Sequence, residues 1–128
     1  KRINSTVKRK MYIGNYYFKK LSNNKSLYMT PPQINQFKNI YWVVGIVIKN
    51  KKVLASQIIK KLSKYGIGAR PFFWPMHEQD IFKKMKIFKK QNYPNSSYLG
   101  RYGFYIPSFL KIKDSEMNYV VSVINKLL

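Results

Sequence analysis

Apolar residues near the start of the chain recur with a helical period. Val7, Met11, Gly14, Phe18 and Leu21 are spaced by 4, 3, 4 and 3, which places them on one helix face. The polar run Ser22–Ser26 ends that helix. Pro31 and Pro32 cannot lie inside a helix, so residues 27–39 are expected to form a loop. Tyr41–Ile48 is rich in aromatic and β-branched residues and predicts a buried strand. After the polar turn Lys49-Asn50-Lys51-Lys52, helical spacing returns at Val53, Leu54, Ile58, Leu62 and Tyr65. Gly66 then stands just past the helix end, where a left-handed residue commonly closes it.

Ala69–Trp74 predicts a second strand, stopped by Pro75. In the mixed stretch Met76–Asn92, Ile81, Met85 and Phe88 suit the inner face of a short helix with lysines outside. Pro94 fits the first turn of another helix, with Tyr98, Leu99 and Tyr102 inward and Gly103 at its end. Phe104-Tyr105-Ile106 predicts a short third strand, closed by Pro107. Asp114 is the expected N-cap of a last helix, Glu116 suits its first turn, and Met117, Val120, Val121, Ile124 and Leu128 form its apolar face. The fold expected is α/β (α+β): a small sheet of about three strands packed by helices. One domain is expected, with residues 1–22 as a long arm helix, 23–40 as a connecting loop and 41–128 as the small α/β unit.

Composition bounds what such a domain does. The chain has 128 residues, 25 Lys and Arg against 4 Asp and Glu, and a formal charge of +21. That field would attract nucleic acid or anionic lipid, less so in salt. Yet Lys, Asn, Ile, Tyr and Phe, all with A/T-rich codons, make up about half of the chain. Only four of the basic residues are Arg, and the lysines are dispersed, whereas base and phosphate readers lean on the Arg fork. A solvated surface on a biased composition is therefore the reading adopted, with a small basic nucleic-acid-binding module as the alternative. Tyr41, Trp42, Phe72, Phe73, Trp74, Phe104 and Tyr105 fall on the expected strands and are read as core rather than base-stacking residues.

No Cys and one His exclude disulfide and thiol chemistry and argue against a zinc site. The longest run without a polar residue, Ile40–Ile48, falls far short of the roughly 20 residues that span a bilayer. Lys1-Arg2-Ile3-Asn4-Ser5-Thr6 has no apolar stretch behind its charges, unlike a secretory signal. A cytoplasmic protein with no membrane partner is expected. The first residue is not Met, which leads us to expect a piece or a processed form of a longer product.

No Gly-rich phosphate loop or GxSxG frame occurs. His77-Glu78 lacks the second His of a zinc-protease motif, and Glu78 and Asp80 lie two apart in sequence without being an evident acid–base pair. The stretch Gly66–Gln79 is unlike ordinary core: it gathers Arg70, Pro71, Phe72, Phe73, Trp74, Pro75 and His77. Arg70 stands in a chain that prefers Lys, so its planar fork suits a carboxylate or phosphate, or else an internal salt bridge.

That stretch, Gly-Ile-Gly-Ala-Arg-Pro-Phe-Phe-Trp-Pro-Met-His-Glu-Gln, resembles the G-I-x-T-R-x-x-F-x-P-x-H-x-Q element of the DegT/StrS family. These are pyridoxal-phosphate (PLP)-dependent aminotransferases of nucleotide-linked keto sugars. Tyr41-Trp42-Val43-Val44, the helix over 53–66, Tyr93-Pro94 and Arg101–Ser108 resemble family segments in the same order. The wording is most similar to perosamine-synthase-type members. Ala69, Asp80 and Ser96-Ser97 depart from the common Thr or Ser, Pro, and Ala-Glu.

The resemblance implies the C-terminal small domain of a fold-type I enzyme. The large domain, with the Schiff-base lysine, the aspartate on the pyridine nitrogen and the phosphate cup, is not matched. It also implies that the parent moves an amino group from glutamate to a nucleotide-linked 4-keto-6-deoxy sugar, with PLP as cofactor, as a homodimer. This chain alone is expected to bind no PLP and to be inactive. By the same resemblance Arg70 would bind a carboxylate or pyrophosphate, His77 would hydrogen-bond the sugar or its keto oxygen, and Phe73 and Trp74 would shape the cleft wall. A stand-alone non-catalytic domain is the other alternative.

Overall fold

The computed structural model describes residues 2–88 and 92–128. Helix α1 (Ile3–Leu21) buries Ile13, Gly14, Tyr17 and Leu21, while Val7, Met11 and Phe18 lie half-buried at its flank. The buried stripe is therefore rotated from the one the spacing predicts. Two contacts explain it. The ring of Tyr41 sits directly on the backbone of Gly14, where a Cβ would come within 2.1 Å of it. Tyr17, fully buried, satisfies its hydroxyl on the Pro107 carbonyl at 2.9 Å, which lets a polar tip enter the core. Burial pushes the Tyr17 hydroxyl well above its usual pKa and pushes that of Tyr41 up to about 12.

The segment expected as a connecting loop carries short strands. β1 (Leu27–Tyr28) pairs antiparallel with β4 (Val44–Ile48), Leu27 opposite Ile48. β2 (Gln33–Ile34) and β3 (Phe37–Lys38) form a separate ribbon. The sheet among the described residues thus has four strands, in the order β1-β4-β6-β5, with all neighbours antiparallel. β5 is only Arg70–Pro71, and β6 is Gly103–Ile106. The first long strand starts at Val44 rather than Tyr41, because Tyr41 takes a left-handed φ of 49° to lay its ring on Gly14.

Alternation along the central strands separates two faces. Val44, Ile46, Ile48, Phe104 and Ile106 are buried in the core, while Gly45, Gly103 and Tyr105 occupy the other face. α2 (Ala55–Lys64) buries Ala55, Ile58 and Leu62, and its end is closed by Gly66 at φ +71°. At its start the Leu54 N–H donates to Gln57 Oε1 at 2.9 Å. α4 (Pro94–Tyr102) begins on Pro94 and runs straight into β6. Its Tyr98 and Tyr102 hydroxyls donate to the Ile48 and Lys51 carbonyls at 2.7 and 2.9 Å, whereas Leu99 faces outward. α5 (Asp114–Leu127) buries Met117, Val120, Val121, Val123 and Ile124 and packs on α1 and α2. Lys113, not Asp114, stands at its N-cap, and the Lys113 N–H donates to Glu116 Oε2 at 2.6 Å.

α3 (Asp80–Lys84) is a single short helix after the 3₁₀ turn Met76–Glu78. Ile81 and Met85, expected to point inward, are exposed, and Phe88 is half-buried. Residues 89–91 of that stretch lie outside the described residues. The aromatics divide: Tyr41 and Phe104 are core, while Trp42, Phe73 and Trp74 are exposed. No helix among the described residues is long and apolar enough to cross a membrane.

Candidate functional site

The site is built where β5 leaves the sheet edge. Arg70 lies opposite Tyr105 and Pro71 opposite Phe104. The Phe72 N–H then donates to the Gly103 carbonyl at 3.0 Å, and its ring stacks on Tyr105 at 4.6 Å. That ring needs both Gly45 and Gly103 beneath it, since a Cβ on either would fall 2.9 or 2.3 Å from its atoms. With Phe72 so anchored, the next two rings are thrown outward: Phe73 is 77% and Trp74 47% exposed. They wall a pocket of about 560 Å³ that Leu54, Pro71 and Arg101 also line. Large exposed aromatics gathered around a concavity are a binding feature rather than a folding one.

Pro75, buried, turns the chain back onto α4, where Gly100 gives it room: a Cβ there would lie 2.6 Å from the proline ring. Gln79 Nε2 donates to the Trp74 carbonyl at 3.1 Å and ties the turn closed. This brings Glu78 against α4. Arg101 donates to Glu78 Oε1 and Oε2 at 2.9 and 2.8 Å, a bidentate fork. The guanidinium also lies 5.3 Å from the Trp74 ring centroid, so it links the ion pair to the pocket wall. Ser97 Oγ donates to Glu78 Oε1, and His77 Nε2 is 3.2 Å from the same Ser97 Oγ. The hydrogen bonds from Arg101 and Ser97 hold the Glu78 carboxyl below its usual pKa, outweighing its partial burial, and Glu78 in turn raises Arg101. The His77 ring is flanked by Tyr93 at 4.9 Å and Phe88 at 6.3 Å.

The four residues singled out from the sequence are thus only partly assembled. Phe73 and Trp74 share the pocket. His77 sits beyond Arg101 in the ion-pair cluster. Arg70 is exposed, and among the described residues its side chain makes no hydrogen bond or ion pair, so the salt-bridge alternative fails for it. The Arg that forms the internal bridge is Arg101. Glu78, Ser97 and Arg101 were missed as a group. The argument that marked Arg70, an Arg kept in a Lys-rich chain, applies equally to Arg101. Asp80 is unrelated to Glu78 chemically, lying in the first turn of α3 and 3.7 Å from Lys83.

Among the described residues no group of His, Asp and Glu could hold a metal ion. PLP needs a lysine for its aldehyde and an acid for its ring nitrogen. The pocket at Phe73 and Trp74 is lined by neither. Lys10, whose pKa is lowered by desolvation, lines another cavity, but it donates to the Ser108 carbonyl at 2.7 Å and has no acid beside it there. Neither of these two pockets brings together the lysine and the acid that PLP needs.

Fold and site together define a small α/β domain with an aromatic wall on its sheet edge. The sequence pattern of the DegT/DnrJ/EryC1/StrS aminotransferase family matches residues 1–125, and the chain belongs to that family. It is 25% identical over 122 residues to the uncharacterized protein MJ1066 of Methanocaldococcus jannaschii, covering 94% of this chain and 31% of that one. It is 27% identical over 123 residues to the GDP-perosamine synthase of Escherichia coli O157:H7, with the same coverage of 94% and 31%. The chain therefore spans about a third of the length of these relatives. Among solved structures, the PLP form of Spr1654 from Streptococcus pneumoniae superposes with a TM-score of 0.84 at 19% identity, over 99% of this chain and 33% of that one. The fold is that of a part of these larger proteins.

Proposed function

We propose that this chain is the C-terminal small domain of a PLP-dependent aminotransferase that carries an amino group from glutamate to the 4-keto carbon of a nucleotide-linked 6-deoxy sugar. The perosamine type is the sugar class we favour, because GDP-perosamine synthase is among its relatives. The observation that carries the reading is the segment Arg70–His77. It is folded so that Phe73 and Trp74 stand open to a partner surface while Arg70 keeps its fork free.

A large domain supplies PLP and the lysine that holds it, and with it the amino-transfer chemistry. This chain closes the cleft. Trp74 and Phe73 exclude water from the sugar side and pack against the sugar ring or its base. Arg70 binds the pyrophosphate or the carboxylate of glutamate, for which a planar fork is suited. His77 hydrogen-bonds the sugar. The full-length enzyme is a cytoplasmic homodimer.

The test is amino transfer by the native gene product. Glutamate and GDP-linked 4-keto-6-deoxy sugar are supplied, and the amino sugar nucleotide is read by mass. Formation of that product, with KM for the sugar nucleotide raised in W74A, supports the proposal. No transfer to a 4-keto sugar on any nucleotide carrier overturns it.

A further inference from the structure

Glu78 accepts hydrogen bonds only, as a carboxylate fixed by the Arg101 fork. Ser97 has a single hydroxyl hydrogen, and it is donated to Glu78 Oε1. What Ser97 Oγ can offer to His77 Nε2, 3.2 Å away, is therefore a lone pair. The contact is a hydrogen bond only when Nε2 carries the proton. The more distant Glu78 Oε1, 3.6 Å from the same nitrogen, favours that proton too. Both of these groups, Ser97 Oγ and Glu78 Oε1, therefore face Nε2 as acceptors.

The other ring nitrogen has a different setting. Among the described residues His77 Nδ1 makes no hydrogen bond, and no buried side-chain nitrogen or oxygen lacks one. Nδ1 is therefore reached by solvent, although the side chain as a whole is only 15% exposed. The ring is flanked by Tyr93 and Phe88, whose centroids lie 4.9 and 6.3 Å from its own.

We infer that the relay Arg101–Glu78–Ser97 fixes neutral His77 as the Nε2–H tautomer and presents Nδ1 as a hydrogen-bond acceptor. Ser97, Glu78 and Arg101 are positioning residues, acting through His77. Resting on the aminotransferase reading above, this makes the ligand group at His77 a donor: a sugar hydroxyl, and not the keto oxygen, for which a neutral Nδ1 has no proton. Ser97 is the distinctive member, since the hydroxyl is the one group in the chain of bonds that both donates and accepts.

Histidine-labelled protein, with ¹⁵N in both ring nitrogens, reads the tautomer directly by NMR above pH ~8, where an ordinary imidazole is neutral. His77 is the only histidine of this chain, and the spectrum of H77Q assigns its signals. Free imidazole exchanges between two tautomers. The expected spectrum shows the Nε2–H form alone in the native protein and in S97T, which keeps the hydroxyl. In S97A the signals move toward the exchanging mixture. Alanine suits α4 at this position, and circular dichroism checks that the fold is kept. A populated Nδ1–H form in the native protein overturns the inference, whatever S97A does. So does an S97A spectrum identical to the native one. No substrate is present in this measurement, so its failure is distinct from a failure to transfer an amino group.

Discussion

Arg101 closes its fork on both oxygens of Glu78, at 2.9 and 2.8 Å, from a position 23 residues away in the chain. The pair staples the turn Met76–Glu78 to α4. Arg101 is 40% exposed and Glu78 14%, so solvent screens part of the attraction. Replacing Arg101 by Lys keeps the charge and loses the two parallel bonds. We expect R101K to lower unfolding free energy by about 1 kcal/mol in urea melts. An R101K protein as stable as the native one would contradict the staple.

The same pair sets an acid dependence. Glu78 is held below its ordinary pKa by Arg101 and Ser97. A carboxyl depressed in the folded state adds stability above its unfolded pKa, near 4.3, and loses it as pH falls through the folded value. The melting temperature should therefore drop below about pH 4, and less steeply in E78Q, which has no proton to take up. At the alkaline end the sign reverses. Tyr17 and Tyr41 are raised by burial, so stability falls as pH climbs above about 10, where unfolded tyrosines ionise first. A flat profile at either end would contradict the corresponding assignment.

Three glycines separate crowding from backbone strain. Alanine at Gly14 would place Cβ 2.1–2.5 Å from three atoms of the Tyr41 ring, and we expect a loss of about 3 kcal/mol. Gly66 has open space around it but φ +71°, so G66A should cost roughly 1 kcal/mol. Gly68 has neither constraint, and G68A should be neutral or slightly stabilising, within about 1 kcal/mol. Denaturant midpoints in any other order would contradict the packing described.

Arg70 and Arg101 should part company when each is removed. Arg70 has no side-chain partner among the described residues, so R70A should change stability by less than about 0.5 kcal/mol. In the native gene product it should raise KM for the sugar nucleotide or for glutamate about tenfold, the loss of one charge-assisted contact. Unchanged kinetics in R70A would remove it from the site.

The charge of +21 predicts a measurable but unspecific attraction to polyanions. Binding of single-stranded DNA should be weak and lost as salt rises from roughly 50 to 200 mM. Sequence-selective binding that survives 200 mM salt would instead favour the nucleic-acid-binding alternative, with Trp42 and Phe73 as its exposed rings.

Much of the fold was legible because its signals are local. Gly66 closing α2, Pro94 opening α4 and the apolar face of α5 each follow from residues within a few positions of one another. β1, β2 and β3 were hidden because two residues carry no alternation, whereas β5 was expected over Ala69–Trp74 and is shorter, only Arg70–Pro71. The inward face of α1 was misplaced because it is set by Tyr41, a partner distant in the chain. The segment Arg70–His77 stood out by composition, but Phe73 and Trp74, read as core from their place on an expected strand, are exposed, because that strand ends at Pro71. The Glu78–Ser97–Arg101 network did not stand out, since pairing across a turn and a helix leaves no periodic trace in sequence.

The central claim is that these residues serve as the small domain of a larger PLP enzyme. The most direct test is to capture the native gene product with an antibody to this chain, reduce it with borohydride and measure its intact mass. The account predicts a product several times heavier than 15.3 kDa, carrying PLP fixed on a lysine outside residues 1–128. A product of 15.3 kDa with no co-purifying chain that carries PLP would contradict it.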